Sequence, residues 1–252
     1  MSRASVYITW ASIFERGPFQ MSRQLTTIGF DADDTLWHNE RFFALTQDRF
    51  ADLLADHTDA DTLMDRLLAA EQRNLPHYGF GIKGFTLSMI ETAIEVTDGR
   101  LPGSVIAELL EAGREMLSHP IDLLPHAAET VAALSGTYKV VLITKGDLLD
   151  QERKLAQSGL GDAFDAVEIV SAKTSETYIR IYDQHGDGAA QGLMVGNSMA
   201  SDVLPMIAAG GLGVFVPHGL AWAIEHAEAP DHPGFHEIAD LSALPALVAN
   251  LT

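Results

Sequence analysis

The sequence predicts an α/β fold, with a parallel β-sheet core interrupted by one long helical segment. Two observations support this fold. Short apolar runs rich in β-branched residues alternate with segments of helical periodicity, which is typical of βαβ units and a parallel sheet. Between residues 39 and 124, by contrast, no strand-like run occurs and apolar residues recur at helical spacing.

The predicted elements follow one another along the chain. The strand-like runs are residues 26–30, 140–143, 166–170, 193–195 and 213–216. The helical patterns between them are residues 127–134, 148–158, 176–185 and 201–209, and a short strand and a closing helix are expected between residues 235 and 251. Because ligands of parallel sheets bind beyond the carboxyl ends of the strands, the residues that follow each run are the first candidates for a functional site.

The helical insertion begins directly after the first strand. Its apolar residues recur every three or four positions, as at Leu63, Leu67 and Leu68, which is the pattern of helix-packing faces. Both ends of the segment are expected beside the end of the first strand, where a helical module can act as a lid. We therefore predict a core formed by residues 23–37 and 125–252, and a helical cap formed by residues 38–124.

Composition restricts the classes of function. The chain has 252 residues, of which 47% are hydrophobic, and a formal net charge of −19. This charge argues against nonspecific binding to nucleic acid or to an anionic membrane. The absence of cysteine excludes disulfides, thiolate zinc sites and cysteine catalysis. No apolar run reaches the length of a membrane span, and a cytoplasmic location is expected because no targeting signal is evident.

The first twenty residues differ from the rest of the chain. They lack an unbroken apolar stretch and carry Glu15 and Arg16, so they do not form a secretory signal. Met21 lies shortly before the first strand. We expect residues 1–22 to be an extension with little order and Met21 to be the natural start, which mass spectrometry of protein expressed from the native gene would test.

Three acids, Asp31, Asp33 and Asp34, follow the first strand. Carboxylates crowded at the end of a buried strand repel one another unless a cation or a proton compensates them, so a functional role is indicated. The alternative is that these acids and Thr35 cap the following helix. This alternative applies more readily to Asp34 and Thr35, because a helix cap uses one acid and not three.

Polar residues also follow the next two strands. Thr144 and Lys145 follow the second strand, before a turn at Gly146, where the hydroxyl and the backbone N–H groups can hold phosphate oxygens. Lys173 follows the third strand, and an ammonium there would offset carboxylate or phosphate charge. The alternatives are an ordinary turn and a solubilising surface lysine.

The fourth strand ends at Gly196 and is followed by Asn197 and Asp202. Mg²⁺ takes oxygen ligands from one or two carboxylates and keeps several waters. Asp31 and the backbone carbonyl of Asp33 would be two such ligands, and Asn197 or Asp202 would be a third. The alternative is a turn followed by a helix that carries Asp202 in its first turn.

Taken together, these positions resemble the haloacid dehalogenase (HAD) superfamily over residues 25–216. The superfamily order is Asp-x-Asp-x-Thr, a strand-end Thr or Ser, a Lys, and a Gly-Asp-x-x-x-x-Asp loop. The matching positions are Asp31 and Asp33, Thr144, Lys173 and residues 196–202. The resemblance implies a Rossmann-like core, a helical C1 cap, Mg²⁺ dependence and an aspartyl-phosphate intermediate. Asp31 would be the nucleophile, and Asp33 would protonate the leaving oxygen and then activate water.

The chain departs from the family pattern at Asn197, where the loop usually has an aspartate that ligates the metal. An amide oxygen carries less charge, so either Asn197 binds magnesium weakly or Asp202 takes the role. Lys83 lies in a glycine-rich loop and is the only lysine of the insertion. We expect it to pair with an anionic group of the substrate, and the alternative is a flexible surface turn. The histidines near the end of the chain, including His218, are expected to have structural or surface roles.

The expected function is therefore a magnesium-dependent phosphatase of a small phosphorylated metabolite, since a large folded substrate would fit poorly under a lid. Asp33 favours phosphoryl chemistry, because the dehalogenases of the superfamily lack this second acid. Three alternatives stay open. They are a 2-haloacid dehalogenase-type hydrolase, a catalytically weak HAD-like binding protein, towards which Asn197 points, and a phospho-accepting receiver module, which would lack the insertion.

Overall fold

Within residues 24–220 and 222–252, which the computed structural model describes, six strands form one sheet. The predicted N-terminal extension, residues 1–22, lies outside these residues. All neighbouring strands are parallel, in the order β3-β2-β1-β4-β5-β6. This is the order of a Rossmann-like sheet, as predicted. The strands are β1 (Thr27–Phe30), β2 (Lys139–Lys145), β3 (Ala166–Val170), β4 (Gly192–Gly196), β5 (Leu212–Phe215) and β6 (Phe235–Glu237).

The helices also agree with the predicted pattern, including the closing strand and helix near the end of the chain. One predicted helix, residues 201–209, begins earlier and in a different form. Residues Met199–Val203 form a wide π-helical turn, in which Ser198 Oγ accepts a hydrogen bond from the backbone N–H of Ser201, before α8 begins. The helices are α1 (Glu40–Leu53), α2 (Ala60–Tyr78), α3 (Ile82–Val96), α4 (Gly103–Ser118), α5 (Ala127–Ser135), α6 (Leu148–Ser158), α7 (Ser175–His185), α8 (Leu204–Ala208) and α9 (Leu244–Leu251).

The sheet has a buried apolar layer on each face. On one face, Val131 of α5 and Leu244 of α9 pack against β-strand side chains such as Val140 and Leu193. On the other face, Tyr182 of α7 packs with apolar residues of β2, β4 and α8. The short β-branched runs form central strands because both of their faces are covered by helices.

The segment between β1 and β2 contains α1–α4, which bury an apolar core of their own. Phe50, Leu67 and Met89 belong to this core and have no exposed surface or almost none. Both ends of the segment are fixed at the end of β1, where the Leu124 backbone N–H donates to the Leu36 carbonyl at 2.9 Å. None of the helices in the described part of the chain combines the length and the apolarity of a membrane span.

Gly29 lies where α7 packs closely against the sheet. A Cβ at this position would overlap the hydroxyl of Tyr182 and lie 2.9 Å from Met194 Sδ. The Tyr182 hydroxyl donates a 2.6 Å hydrogen bond to the Leu193 carbonyl, so it cannot move without losing a buried partner.

We therefore expect Gly29→Ala to lower the free energy of unfolding by about 1–3 kcal/mol through overpacking. Urea unfolding would measure this change. Gly136→Ala is the matched control, because a Cβ there meets no atom within 4 Å and the backbone is already helical. Equal stability of the two variants would contradict the close-approach explanation.

Candidate active site

The carboxyl ends of β1, β2 and β4 converge with the loop after β3, and most of the predicted site residues lie there. Asp31 follows β1, Thr144 and Lys145 end β2, Lys173 follows β3, and Asn197 follows β4. All of these residues line one cavity of about 150 Å³, together with residues of the helical insertion. Parallel strand ends thus bring together side chains that are far apart in sequence.

Lys173 lies between two buried carboxylates. Its ammonium bonds Asp31 Oδ1, and it donates to Asp202 Oδ1 at 2.6 Å. The second oxygen of Asp202 accepts the backbone N–H of Ser198 at 2.9 Å. A side chain at Gly196 would overlap the Asp202 carboxylate, so the end of β4 has to be glycine for this acid to turn inwards.

Burial is the largest influence on the pKa values of Asp31 and Lys173. It raises the pKa of the Asp31 carboxyl to about 7, although the Lys173 charge opposes the shift and the Asp202 charge adds to it. Burial also disfavours the ammonium of Lys173, but the two carboxylates outweigh it and hold the Lys173 pKa above its ordinary value. One ammonium thus faces two carboxylates, which leaves room for a further cation or a proton.

Asp33 is held by a different cation. Lys154 Nζ lies 3.0 Å from both Asp33 carboxylate oxygens. Trp37 Nε1 and Gln151 Nε2 also donate to them, at 2.7 and 3.1 Å. Lys154 and Gln151 lie on the buried face of α6, and neither was predicted from sequence. The sequence feature that could have indicated them is an amphipathic helix, α6, with polar residues on its buried face. The sequence does not indicate which acid this face contacts.

Thr35 and Asn197 surround the other oxygen of Asp31. Thr35 Oγ donates to Asp31 Oδ2 at 2.9 Å. The Asn197 side-chain atom that faces the site lies 3.1 Å from the Asp33 carbonyl oxygen and 3.3 Å from Asp31 Oδ2. Two arrangements satisfy these atoms: the amide nitrogen donates to the oxygens, or the amide oxygen faces them across a cation.

The remaining acid of the cluster, Asp34, has the capping role. Its two oxygens accept the backbone N–H groups of Asn39 and Glu40, each at 2.9 Å, and so begin α1. His218 Nε2 lies 3.6 Å from Asp34 Oδ1. With His38, these two residues offer ligand atoms within 4.8 Å of one another.

Thr144 and the two predicted substrate lysines have partners within the protein. Thr144 Oγ accepts Gln151 Nε2 at 2.6 Å. Lys145 donates to Ser201 Oγ at 2.7 Å, and its ammonium also bonds the carboxylate of Glu225, a residue that sequence reasoning missed. Lys83 donates to Asp147 Oδ2 at 2.9 Å on the exposed surface and does not line the cavity.

The insertion contributes two acids to the cavity wall that were not predicted, Glu40 and Glu71. Glu71 is 9% exposed, and its closest donor is Trp222 Nε1 at 3.4 Å. Burial raises the pKa of both carboxyls to about 7, and the charges of Asp34 and Glu71 add to the shift at Glu40.

Two comparisons with known proteins identify the same family. A family model of haloacid dehalogenase-like hydrolases matches residues 25–210. A haloacid dehalogenase-like family hydrolase from Xanthomonas campestris is 41% identical, with a TM-score of 0.82 over 92% of this chain and 94% of that chain. No curated protein matches the sequence.

More distant structures are similar in fold alone. A HAD phosphatase from Thermococcus onnurineus is 23% identical, with a TM-score of 0.60 over 89% of this chain and 98% of that chain. An L-2-haloacid dehalogenase from Xanthobacter autotrophicus, with chloropropionic acid covalently bound, is 19% identical, with a TM-score of 0.62 over 90% and 100%.

The raised pKa of Glu71 leads to a stability prediction. A carboxyl with a pKa of about 7 in the folded state and 4.5 in the unfolded state destabilises the fold once it ionises. Glu71→Gln should therefore raise the free energy of unfolding by about 1–3 kcal/mol at pH 8. The gain should shrink as the pH falls from about 7 to 4.5, because both states are then protonated.

Denaturant unfolding of wild type and variant at pH 8, 6.5 and 5 would measure this. Glu108→Gln, which removes an exposed acid of α4, is the control for net charge. A Glu71→Gln gain that does not change with pH would contradict the buried-charge explanation.

Proposed function

This chain belongs to the haloacid dehalogenase-like hydrolase family, and we propose that it is a Mg²⁺-dependent phosphatase of a small phosphate monoester. The observation that carries the proposal is the pair of carboxyls two residues apart at the end of β1. Asp31 and Asp33 line the same cavity, and a different lysine compensates each of them. Two carboxyls in different environments suit two different roles in one reaction.

Asp31 is the proposed nucleophile. A carboxylate oxygen attacks phosphorus, the bond from phosphorus to the leaving oxygen breaks, and an acyl phosphate forms on Asp31. Asp33 gives a proton to the leaving oxygen and later takes one from the water that cleaves the acyl phosphate. Lys154, Gln151 and Trp37 keep the Asp33 carboxyl oriented for these transfers.

Thr144 and Lys173 are proposed to hold the phosphoryl oxygens. The Thr144 hydroxyl is buried at the end of β2, and the backbone N–H groups that follow it are donors for an anion. Lys173 adds a positive charge beside the nucleophile. The side chain of Lys145 is engaged with Glu225, so in this proposal its backbone and not its ammonium contacts the phosphate.

The oxygens around Asn197 fit a magnesium ion. Adjacent ligands of an octahedral Mg²⁺ with bonds of about 2.1 Å are about 3 Å apart, which is close to the separations of 3.1 and 3.3 Å found here. We propose that Asp31 Oδ2, the Asp33 carbonyl and Asn197 Oδ1 would hold the ion. Asp202 then acts through Lys173, since both of its oxygens have other partners. When bound, Mg²⁺ would neutralise charge on the phosphoryl oxygens.

We further propose that α1–α4 form a lid of the C1 type over this site. The insertion contacts the core beside the cavity through Lys83 with Asp147 and through Phe80 with Trp222. A cavity closed in this way admits small leaving groups and keeps bulk water from the acyl phosphate.

One observation favours a second candidate function. If the amide nitrogen of Asn197 faces the site, it donates to Asp31 and to the Asp33 carbonyl and occupies the place of a metal. Asp31 could then displace a halide from carbon without Mg²⁺, as a 2-haloacid dehalogenase-type hydrolase would. Halide release from 2-chloropropionate in the presence of a chelator would favour this alternative.

The proposed function predicts Mg²⁺-dependent phosphate release from an aryl phosphate such as p-nitrophenyl phosphate. Asp31→Asn should abolish this release and leave cooperative thermal unfolding intact, because the variant lacks the nucleophile but retains the Lys173–Asp202 pair. Asp61→Asn, an exposed change on α2, is the control. Release that persists in Asp31→Asn would refute the nucleophile assignment.

Asn197 leads to a separate prediction about metal affinity. Asn197→Asp adds a charged ligand and should tighten Mg²⁺ binding by about tenfold, since affinity follows the charge of the ligand set. Without metal the new carboxylate faces Asp31, so the melting temperature should fall below that of wild type. Thermal unfolding at increasing Mg²⁺ concentrations would measure both effects, with Asn250→Asp on α9 as the control. An unchanged Mg²⁺ response would contradict the assignment of Asn197 as a ligand.

A further inference from the structure

The cavity wall carries more acid than base among the described residues. Each lysine that lines it is already paired, Lys145 with Glu225, Lys154 with Asp33, and Lys173 with Asp31 and Asp202. Glu40 and Glu71 have no such partner. An anionic substrate that brought only further negative charge would therefore meet an unfavourable field over much of the cavity.

Glu71 is the most informative of these acids. It projects from α2 into the cavity, is 9% exposed, and has no cation beside it in the described part of the chain. Among the described residues, one donor reaches the Glu71 carboxylate, Trp222 Nε1, and this hydrogen bond is long at 3.4 Å. A buried carboxylate is costly unless it is paired, and a positively charged group of a ligand would be the partner that this side chain lacks.

Glu40 is a second carboxylate of the cavity wall without a cationic partner among the described residues. Its carboxyl accepts no hydrogen bond from any described residue, and its interactions with Asp34, Glu71, Asp33 and Glu225 are all repulsive. Glu40 and Glu71 both line the cavity, and the charge of Glu71 disfavours ionisation of Glu40, so a cation in this part of the cavity would offset both negative charges.

The adjoining wall is aromatic. The rings of Phe80 and Trp222 meet edge to face, with their centroids 6.0 Å apart. Lys145 Nζ lies 4.1 Å from the Phe80 ring centroid while it bonds the Glu225 carboxylate. The wall therefore already holds one ammonium by a ring face and a carboxylate, which is how proteins recognise such groups.

We propose that the substrate of this site is a phosphate monoester whose leaving group carries an ammonium, which binds to Glu71 and Glu40. The inference rests on the proposed function, with the phosphoryl group at Asp31 and Lys173. The site would discriminate between substrates because a neutral leaving group would leave the buried carboxylate of Glu71 and the half-buried carboxylate of Glu40 without a partner.

Matched substrates test the inference. We would compare 2-aminoethyl phosphate with 2-hydroxyethyl phosphate, and glucosamine 6-phosphate with glucose 6-phosphate, by kcat/KM with Mg²⁺ at pH 8. The amine should be preferred at least tenfold in one pair. In that pair Glu71→Gln should lower the amine-to-neutral ratio by roughly tenfold, as expected for loss of one carboxylate partner of the ammonium. Glu108→Gln should leave the ratio unchanged.

Two outcomes separate this inference from the proposed function. Hydrolysis of p-nitrophenyl phosphate with no amine preference in either pair would overturn the ammonium subsite and leave the phosphatase proposal standing. If no phosphate ester is hydrolysed, binding still decides. Calorimetric titration with ethanolamine and glucosamine should give heat with wild type that is lost in Glu71→Gln, whereas ethylene glycol and glucose should give none. Equal responses to amine and neutral compounds would overturn the subsite independently of turnover.

Discussion

The ion pair of Lys173 with Asp31 and Asp202 is the interaction on which the site depends. It joins the loop after β3 to the acids that follow β1 and β4, so that one lysine compensates the negative charge at two other strand ends. All three groups are buried, and removal of the Lys173 ammonium would cost about 3–5 kcal/mol because two buried carboxylates would be left uncompensated. The glycine at position 196 follows from the same pair, since a side chain there would displace Asp202.

Because Lys173 is occupied by Asp31 and Asp202, the neighbouring polar residues need other partners. Asp33 cannot use Lys173, and α6 supplies Lys154 for it instead. With those pairs formed, the atoms around Asp31 Oδ2 are oxygens with one amide, Asn197. An amide accepts a cation or donates to oxygens, whereas an aspartate there would require the cation. The two candidate reactions therefore differ in which end of one side chain faces the nucleophile.

Much of the fold could be predicted from the sequence because its signals are local. A buried parallel strand is a short apolar run, and a run followed by Asp31, Thr144 or Asn197 also marks the edge of the sheet where the candidate site lies. The cap role of Asp34 was among the alternatives for the same reason. Lys154 and Glu71 could not be predicted in this way, because their roles depend on which helix face meets the site.

Lys83 and the π-helical turn illustrate two other limits. Lys83 is in a glycine-rich loop, but the direction of its side chain depends on where Asp147 caps α6, a contact between segments 64 positions apart. The turn at Met199–Val203 departs from regular helix geometry because the Ser198 backbone N–H donates a hydrogen bond to the Asp202 carboxylate. The spacing of apolar residues in the sequence does not indicate such a contact.

The cavity lies where the insertion meets the core. The ion pair of Lys173 with Asp31 and Asp202 lies within the core. The contacts of Glu71 with Trp222 and of Phe80 with Lys145 join the insertion to the core. The exposed pair of Lys83 contributes at most about 1 kcal/mol, so surface charge does not hold the two parts together. A ligand that contacts Asp31 at one end and Glu71 at the other would bind the closed arrangement better than an open one. Only such a difference in affinity shifts a conformational equilibrium, so under this proposal the same ammonium that gives specificity also favours closure.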